Sequence, residues 1–464
     1  IQYRVVARSW LVISSLFFYS YWNQNYLVLF IFSLLVNYSL GSLLNNNRHY
    51  RYNKKHRKSI LFVGVLFNVV LLGYYKYFNF IIDNINNLSF VVVSVESIIL
   101  PLAISFFTFQ QIAYLVDAYN LKCKEYDFLS YCLFVTFFPQ LIAGPIVHHK
   151  EMMPQFSSET ASKINLKNIT LGICIFGLGL FKKVIIADQF AKWASQGFDN
   201  VSAMQMLDAW LASLSYTFQL YYDFSGYADM AIGAALLFNI KLPINFDSPY
   251  KALNIQDFWR RWHITLSRWL KDYVYIPLGG SRCGKLLNLR NLFLTAFISG
   301  IWHGAGWTFI IWGSLHGGAM IVHKLWTNTG IKLNKYLSWF VTFNFVNIAW
   351  VFFRSNTVVD AKEFLWTMFG GKGYPKFSTN LLDMIAMLYR QPISSDYVSS
   401  TVSYLALPGI ISVMFFTCFI KNSNYLLNDT LPSIRKCVFL GIVGGLSITV
   451  MLSSKSSEFL YFNF

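Results

Sequence analysis

The sequence is 464 residues long, with 55% hydrophobic and only 13% charged residues. Soluble globular proteins average about 25% charged residues. This composition excludes an ordinary soluble protein and predicts an all-α protein that crosses a membrane many times. The 38 Lys and Arg against 21 Asp and Glu give a net charge of +17, and the excess lies in short connecting stretches. That distribution is typical of cytoplasmic loops rather than of a nucleic-acid-binding face.

Apolar runs recur along the whole chain at lengths that suit membrane spans. We expect a single domain over residues 1–464, with about 10–12 helices. The basic stretch 47–59 places the connection after the second run in the cytoplasm. The predicted runs are residues 11–22, 26–44, 60–80, 90–116, 128–147, 169–186, 209–220, 228–240, 337–353, 404–420 and 437–452.

The six cysteines form no CxxC pair, so we expect neither a disulfide framework nor a zinc site. No cleavable signal peptide is evident from the first residues. Because the chain opens at Ile1 without a Met, we expect that it lacks its native N-terminus.

Two acidic residues, Asp223 and Asp229, lie between apolar runs in the segment YYDFSGYADM. An acid at membrane depth is expected to pair with a cation or to line a polar path. Ser225 and Gly226 equally permit a turn outside the membrane at this point. The sequence leaves both interpretations open.

Residues 241–290 are polar, basic and aromatic together, and we expect them at the cytoplasmic face. Asn254 and Asp257 have the spacing of a capping box at the start of a helix. The stripe that follows predicts an interfacial amphipathic helix whose tryptophans face acyl chains; it consists of Trp259, Trp262, Leu266, Trp269 and Tyr273. Cations on the remaining surface either anchor the helix to headgroups or hold a phosphate-bearing donor, and they are Arg260, Arg261, Arg268, Arg282, Lys285 and Arg290.

Two histidines lie in the segment IWHGAGWTFIIWGSLHG, with no charged side chain between them. Ionisable residues in an apolar segment are rare and often functional, so His303 and His316 are candidate catalytic residues, with packing histidines as the alternative. On one straight helix their side chains would lie roughly 20 Å apart. Because Gly304 and Gly306 permit a break, either the segment folds back on itself or the two histidines serve different steps.

Five stretches together resemble the membrane-bound O-acyltransferase family, in its alginate and peptidoglycan O-acetyltransferase branch. The resemblance extends in order over nearly the whole chain, and its middle stretches are the specific ones. It implies a fold with a central funnel or tunnel through which an acyl group crosses the membrane. The stretches are FFPQLIAGPI (137–146), YYDFSGYADMAIG (221–233), the block from LPINF to IPLGG (242–280), WHGAGWTFIIWGSLHG (302–317) and WVFFR (350–354).

The resemblance implies transfer of an acetyl group from cytoplasmic acetyl-CoA across the bacterial cytoplasmic (inner) membrane. An extracytoplasmic partner, an SGNH-type O-acetyltransferase or esterase-like protein, would then acetylate a cell-envelope polysaccharide, with peptidoglycan favoured over alginate. In the family pattern His316 is the catalytic histidine and His303 assists. A neutral imidazole shielded from water suits a general base, so we expect that role for His316, while His303 orients the acyl group or stabilises the oxyanion. No metal is expected.

The final residues, FLYFNF, resemble a C-terminal aromatic motif in which a tyrosine relays the acyl group, so Tyr461 is a candidate covalent carrier. An aromatic anchor at the outer interface is the alternative. Arg435 and Lys436 place the start of the last run in the cytoplasm, so we expect the tail 453–464 on the extracytoplasmic side. The alternative function is a transporter of a small acyl or anionic substrate, because broken helices and buried acids also suit one.

Overall fold

A computed structural model describes residues 2–22, 24–45, 54–88, 93–122, 127–158, 163–373, 406–428 and 433–453. Helices dominate these residues, and no β-strand occurs within them. The predicted all-α class is therefore confirmed. Tyr461 and the rest of the tail beyond Ser453 lie outside the described residues.

The helices follow one another with short connections. In the first half of the chain they are α1 (Gln2–Trp22), α2 (Asn25–Asn45), α3 (Lys54–Leu72), α4 (Phe78–Leu88), α5 (Ile104–Tyr119), α6 (Phe128–Thr136), α7 (Phe138–Leu141), α8 (His149–Ser157), α9 (Leu166–Phe181), α10 (Asp188–Phe198) and α11 (Met206–Leu237). In the second half they are α12 (Ile255–Arg261), α13 (Ile264–Leu270), α14 (Lys285–His303), α15 (Trp307–Thr329), α16 (Lys335–Arg354), α17 (Val358–Met368), α18 (Ala406–Phe419), α19 (Asn424–Asn428) and α20 (Ile434–Ser453). Three π-helical turns extend α3, α9 and α13, at Gly73–Tyr77, Lys182–Ala187 and Lys271–Tyr275.

Several helices expose large apolar surfaces whose contact with water would be energetically unfavourable. Phe62, Phe340 and Phe415 are among many large apolar side chains exposed on them. Because an apolar surface this extensive needs lipid around it, the protein is a multi-pass membrane protein. Six of the described helical segments are long and apolar enough to cross a membrane: Asn25–Asn45, Lys54–Leu88, Leu166–Phe198, Lys335–Arg354, Ala406–Leu427 and Ile434–Ser453.

The long helix α11 is the central element of the fold. It is buried along most of its length, and α9, α10, α16 and α17 pack around it. Its 32 residues run without interruption from Met206 to Leu237. The two runs expected at 209–220 and 228–240 are therefore one helix, and the alternative with a turn at Ser225 and Gly226 is wrong.

The acids on α11 are paired, as the first interpretation expected. Lys182 and Asp229 lie 2.6 Å apart, and Lys183 and Asp223 also lie 2.6 Å apart. Both lysines belong to the π-helical turn that follows α9. Since an unpaired buried charge is strongly destabilising, these pairs explain how two carboxylates are accommodated inside an apolar bundle.

The segment expected to form one amphipathic helix is broken in the middle. Asn254 caps the start of α12 by accepting the Asp257 N–H at 2.8 Å, as predicted. The helix ends at Arg261, and His263 then adopts a left-handed φ of 43° before α13 begins. This change of direction turns the tryptophan stripe inward. Trp262 and Trp269 are buried in the protein core, so the prediction that the tryptophans face acyl chains is wrong.

Glycines allow α9 and α11 to approach each other closely. A Cβ atom on Gly233 would lie 2.6 Å from the carbonyl oxygen of Gly172, and one on Gly179 would lie 2.6 Å from that of Gly226. Small residues at helix contacts are the usual route to close packing within a membrane. These two glycine contacts hold α11 close to α9 and to the π-helical turn whose lysines form the buried ion pairs.

We predict that Gly233→Val destabilises the protein, because the added carbons collide with backbone atoms of α9 that cannot move independently. The expected loss is about 1–3 kcal/mol or more, measured as a lower melting temperature of the detergent-purified protein. Gly441→Val on α20 is the matched control, because its added Cβ would meet no atom within 4 Å. Equal melting temperatures for the two variants would contradict this account of the helix contact.

Candidate active site

The segment that carries both candidate histidines folds back on itself. Helix α14 ends at His303, and α15 begins at Trp307. The two helices pack against each other where Gly300 meets Gly313; a Cβ on Gly313 would lie 2.9 Å from the Cα of Gly300. The fold-back alternative is therefore confirmed, and the side chains are not spread along one straight helix.

The indole of Trp312 lies against both histidines. Its ring centroid is 5.0 Å from that of His303 and 4.6 Å from that of His316. The three side chains are 0–1% exposed. The hairpin thus brings the two imidazoles onto one aromatic ring, much closer than the roughly 20 Å of a straight helix.

Aromatic side chains from two other helices, α12 and α16, close around His316. The indole Nε1 of Trp259 donates a hydrogen bond to Nδ1 of His316 at 3.3 Å. In a neutral imidazole the proton then resides on Nε2, because each ring nitrogen's role is set by the partner of the other. Nε2 of His316 is buried and has no hydrogen-bond partner among the described residues, and the same holds for Nε1 of Trp312. Unpartnered buried polar atoms are rare, so these two atoms are candidates for contact with a ligand's polar group.

A third histidine lies close to this pair, and it was not predicted from the sequence. His263 stands between α12 and α13, and its ring centroid is 6.5 Å from that of His303. Its Nδ1 lies 3.1 Å from the amide oxygen of Asn245, so Nδ1 donates there. Burial lowers the pKa of His263 to about 3, which keeps the ring neutral. The sequence shows a histidine within a tryptophan-rich block, which could have marked His263 as a candidate. Its distance along the sequence from His303, however, does not indicate that the two side chains lie close together.

The predicted phosphate-binding cations divide into two groups. Arg261 bonds to Asp257 at 2.9 Å, and Arg268 holds Glu151 through two hydrogen bonds of 2.6 and 2.9 Å. Carboxylates thus already occupy these two guanidinium groups. The exposed cations are Arg260 on α12 and, next to or at the start of α14, Arg282, Lys285 and Arg290.

A cavity of about 1030 Å³ lies beside His316, between α15 and α16. Leu315 and Phe345 line it, and the ring of Phe345 also packs on His316 with centroids 5.4 Å apart. Its walls are mainly apolar, while His323 and Lys332 provide charge or polarity, and no carboxylate is among the lining residues. His316 itself does not line this cavity, so the cavity does not extend to the imidazole as the predicted tunnel requires.

Comparison with known proteins identifies the class. Residues 16–356 match the MBOAT, membrane-bound O-acyltransferase family, which is well over half of the chain. The protein therefore belongs to the membrane-bound O-acyltransferase family, and it is an acyltransferase. This assignment confirms the resemblance seen in the sequence. It favours an acyltransferase over the transporter that was the alternative function.

Individual relatives narrow the comparison further. The chain is 46% identical to a peptidoglycan O-acetyltransferase from Helicobacter pylori, over 98% of this chain and 91% of that protein. It is 40% identical to a probable alginate O-acetylase from Pseudomonas aeruginosa, over 77% of this chain and 68% of that protein. It is also 28% identical to a teichoic acid D-alanyltransferase from Bacillus subtilis, over 51% of this chain and 61% of that protein.

Proposed function

We propose that this protein moves acetyl groups from cytoplasmic acetyl-CoA across the bacterial cytoplasmic membrane for O-acetylation of peptidoglycan. The observation that carries the proposal is a buried pair of histidines on one indole, in a chain of this acyltransferase family. The choice of polymer rests on the relative named for peptidoglycan, which matches 98% of the chain at 46% identity. At the outer face, an SGNH-type or esterase-like partner would receive the acetyl group and place it on the glycan.

His316 is the proposed proton-transfer residue. An acceptor hydroxyl oxygen bonds to the thioester carbonyl carbon and its proton passes to the imidazole. The carbon–sulfur bond then breaks, and the imidazolium returns the proton to the departing thiolate. His303, on the same indole, orients the acetyl group or stabilises the oxyanion.

The hydrogen bond from Trp259 to His316 determines which nitrogen of the imidazole carries the proton, and the mechanism requires this to change. While Nδ1 accepts from Trp259, Nε2 carries the proton and can donate to the thioester carbonyl oxygen, but it cannot act as a base. A base at Nε2 needs the proton on Nδ1, so the Trp259 indole must turn away. We therefore propose that donor binding rearranges Trp259 together with Phe345, which opens the closed site.

The cavity between α15 and α16 is the proposed path of the donor's pantetheine arm. Its apolar walls suit an uncharged chain, and it approaches His316 as far as Phe345 and Leu315. Lys332 lines it, and the charge of Arg260 acts on His323, another lining residue. We propose that these cations bind the phosphates of the donor, and that Arg282 and Lys285 add to the attraction from the start of α14.

We predict that His316→Ala lowers acetyl transfer by at least about 100-fold, because the substitution removes the imidazole that takes the hydroxyl proton. The measurement is the acetyl content of peptidoglycan in cells that hold equal amounts of each variant in their membranes. His56→Ala, at an exposed position on α3, is the matched control and should retain normal acetylation. A normal acetyl content with His316→Ala would contradict the proposed role.

We predict that Gly318→Leu raises the KM for acetyl-CoA about tenfold, because the new side chain projects into the cavity and displaces part of the bound arm; contacts the size of one leucine side chain are worth that much. The fold should tolerate it, since a Cβ on Gly318 meets no atom within 4 Å. Leu325→Phe enlarges an exposed side chain of α15 that does not line the cavity and serves as control. In membranes supplied with radiolabelled acetyl-CoA, an unchanged KM for Gly318→Leu would exclude this cavity as the donor path.

Tyr461 is the proposed covalent relay for the acetyl group. If it is, mass spectrometry of the C-terminal peptide after incubation with labelled acetyl-CoA should find an acetyl ester on the phenol oxygen. Tyr461→Phe keeps the aromatic ring but removes that oxygen, so the ester and the polymer acetylation should both be lost. Normal acetylation with Tyr461→Phe would instead favour the interfacial anchor.

A further inference from the structure

One lysine in the apolar interior has no carboxylate partner. Lys76 lies within the membrane-crossing segment Lys54–Leu88 and is 8% exposed. By contrast, the buried Lys182 contacts Asp229 and the half-buried Lys183 contacts Asp223. Lys76 forms no ion pair with any described residue; its contacts are the Trp302 carbonyl, the Ser105 hydroxyl and the face of the Trp302 ring. A charge in such a place is costly and usually functional.

The ammonium group of Lys76 is directed at the end of the helix that carries His303. Its Nζ donates to the carbonyl oxygen of Trp302 at 2.5 Å. The neighbouring Tyr77 donates its hydroxyl to the carbonyl oxygen of Ile301 at 2.6 Å. These carbonyls belong to the last turn of α14, whose C=O groups have no partners within the helix. A cation is also favoured there, because the C-terminal end of a helix is partially negative.

Both donors come from the π-helical turn Gly73–Tyr77. Such turns are rare single-turn insertions in α-helices and are frequent at functional sites. The contacts link residues more than 200 positions apart in the sequence. The turn therefore joins the membrane-crossing segment Lys54–Leu88 to the last turn of α14, immediately before the break at Gly304.

His303 follows directly on the two carbonyls that are held. The ring of Trp302, over which Lys76 lies, has its centroid 4.9 Å from that of His303. The titratable groups nearest the His303 ring are His263 before α13, Lys76 on the π turn and His316 on α15. Displacement of the last turn of α14 would move His303 away from Trp312, on which both imidazoles depend.

We propose that Lys76 and Tyr77 are positioning residues for acyl transfer: their hydrogen bonds to the carbonyls of Trp302 and Ile301 hold His303 in place against Trp312. The proposal rests on the proposed role of His303 in the reaction. Neither residue needs to touch the donor or the acceptor. Their loss should therefore slow the chemical step and leave donor binding unchanged.

The experiment compares Lys76→Met, which removes charge and donor but keeps length, with Lys76→Arg, which keeps both. Lys76→Met should lower kcat about 10- to 100-fold, the range expected from a displaced reacting group, with the KM for acetyl-CoA unchanged. Lys76→Arg should recover part of kcat, and Tyr77→Phe should lower kcat less than Lys76→Met does. The controls are Lys58→Met on α3 and Tyr74→Phe on the same π turn, both exposed in the wild type.

A double-variant cycle with His303→Gln separates positioning from general stability. If Lys76 acts through His303, adding Lys76→Met to His303→Gln should cause little further loss. Full kcat in Lys76→Met, or losses that add in the double variant, would overturn the proposal while leaving the role of the histidines intact. A loss that follows a matching fall in melting temperature would also overturn it. Wild-type kcat in His303→Gln would overturn the role of His303 itself, and this proposal with it.

Discussion

The contact of one indole with two imidazoles is the constraint on which the site depends. Trp312 can lie against both His303 and His316 only because the chain reverses after α14, and α15 can pack so closely only because Gly300 meets Gly313. Each histidine is one helical turn beyond one of these glycines. The same short segment therefore supplies the close helix contact and the chemical groups, which ties the geometry of the site to the packing of the hairpin.

The sequence was sufficient for features that follow from polarity alone. Its composition predicted the multi-pass all-α class, because few charges and long apolar runs have no other stable environment. The same argument singled out His303 and His316, and for Asp223 and Asp229 it offered pairing as one of the interpretations that the sequence left open. In each case the cost of an ionisable group in an apolar setting was the guide, and that cost does not depend on the details of the fold.

Features that depend on packing between distant parts of the chain could not be predicted from the sequence. A stripe of tryptophans looks the same whether it faces lipid or protein, so the burial of Trp262 was not predicted. The left-handed conformation of His263 changes the direction of the chain, but no glycine or proline at this position predicts the change. Lys76 lies in an apolar run, so the argument that identified the two histidines as candidate functional residues applies to it as well. Its partner at Trp302 is 226 positions away, however, and no spacing rule connects the two residues.

The central claim is that a thioester donor reaches His316 when Phe345 and Trp259 move. A structure with a non-hydrolysable acetyl-CoA analogue bound, determined in lipid nanodiscs, tests this most directly. The account predicts the acetyl group beside Nε2 of His316, the Trp259 indole turned away from Nδ1, the pantetheine arm between α15 and α16, and the ring of Phe345 turned away from the imidazole. An analogue bound with its acetyl group remote from both histidines, while that cavity stays empty, would contradict it.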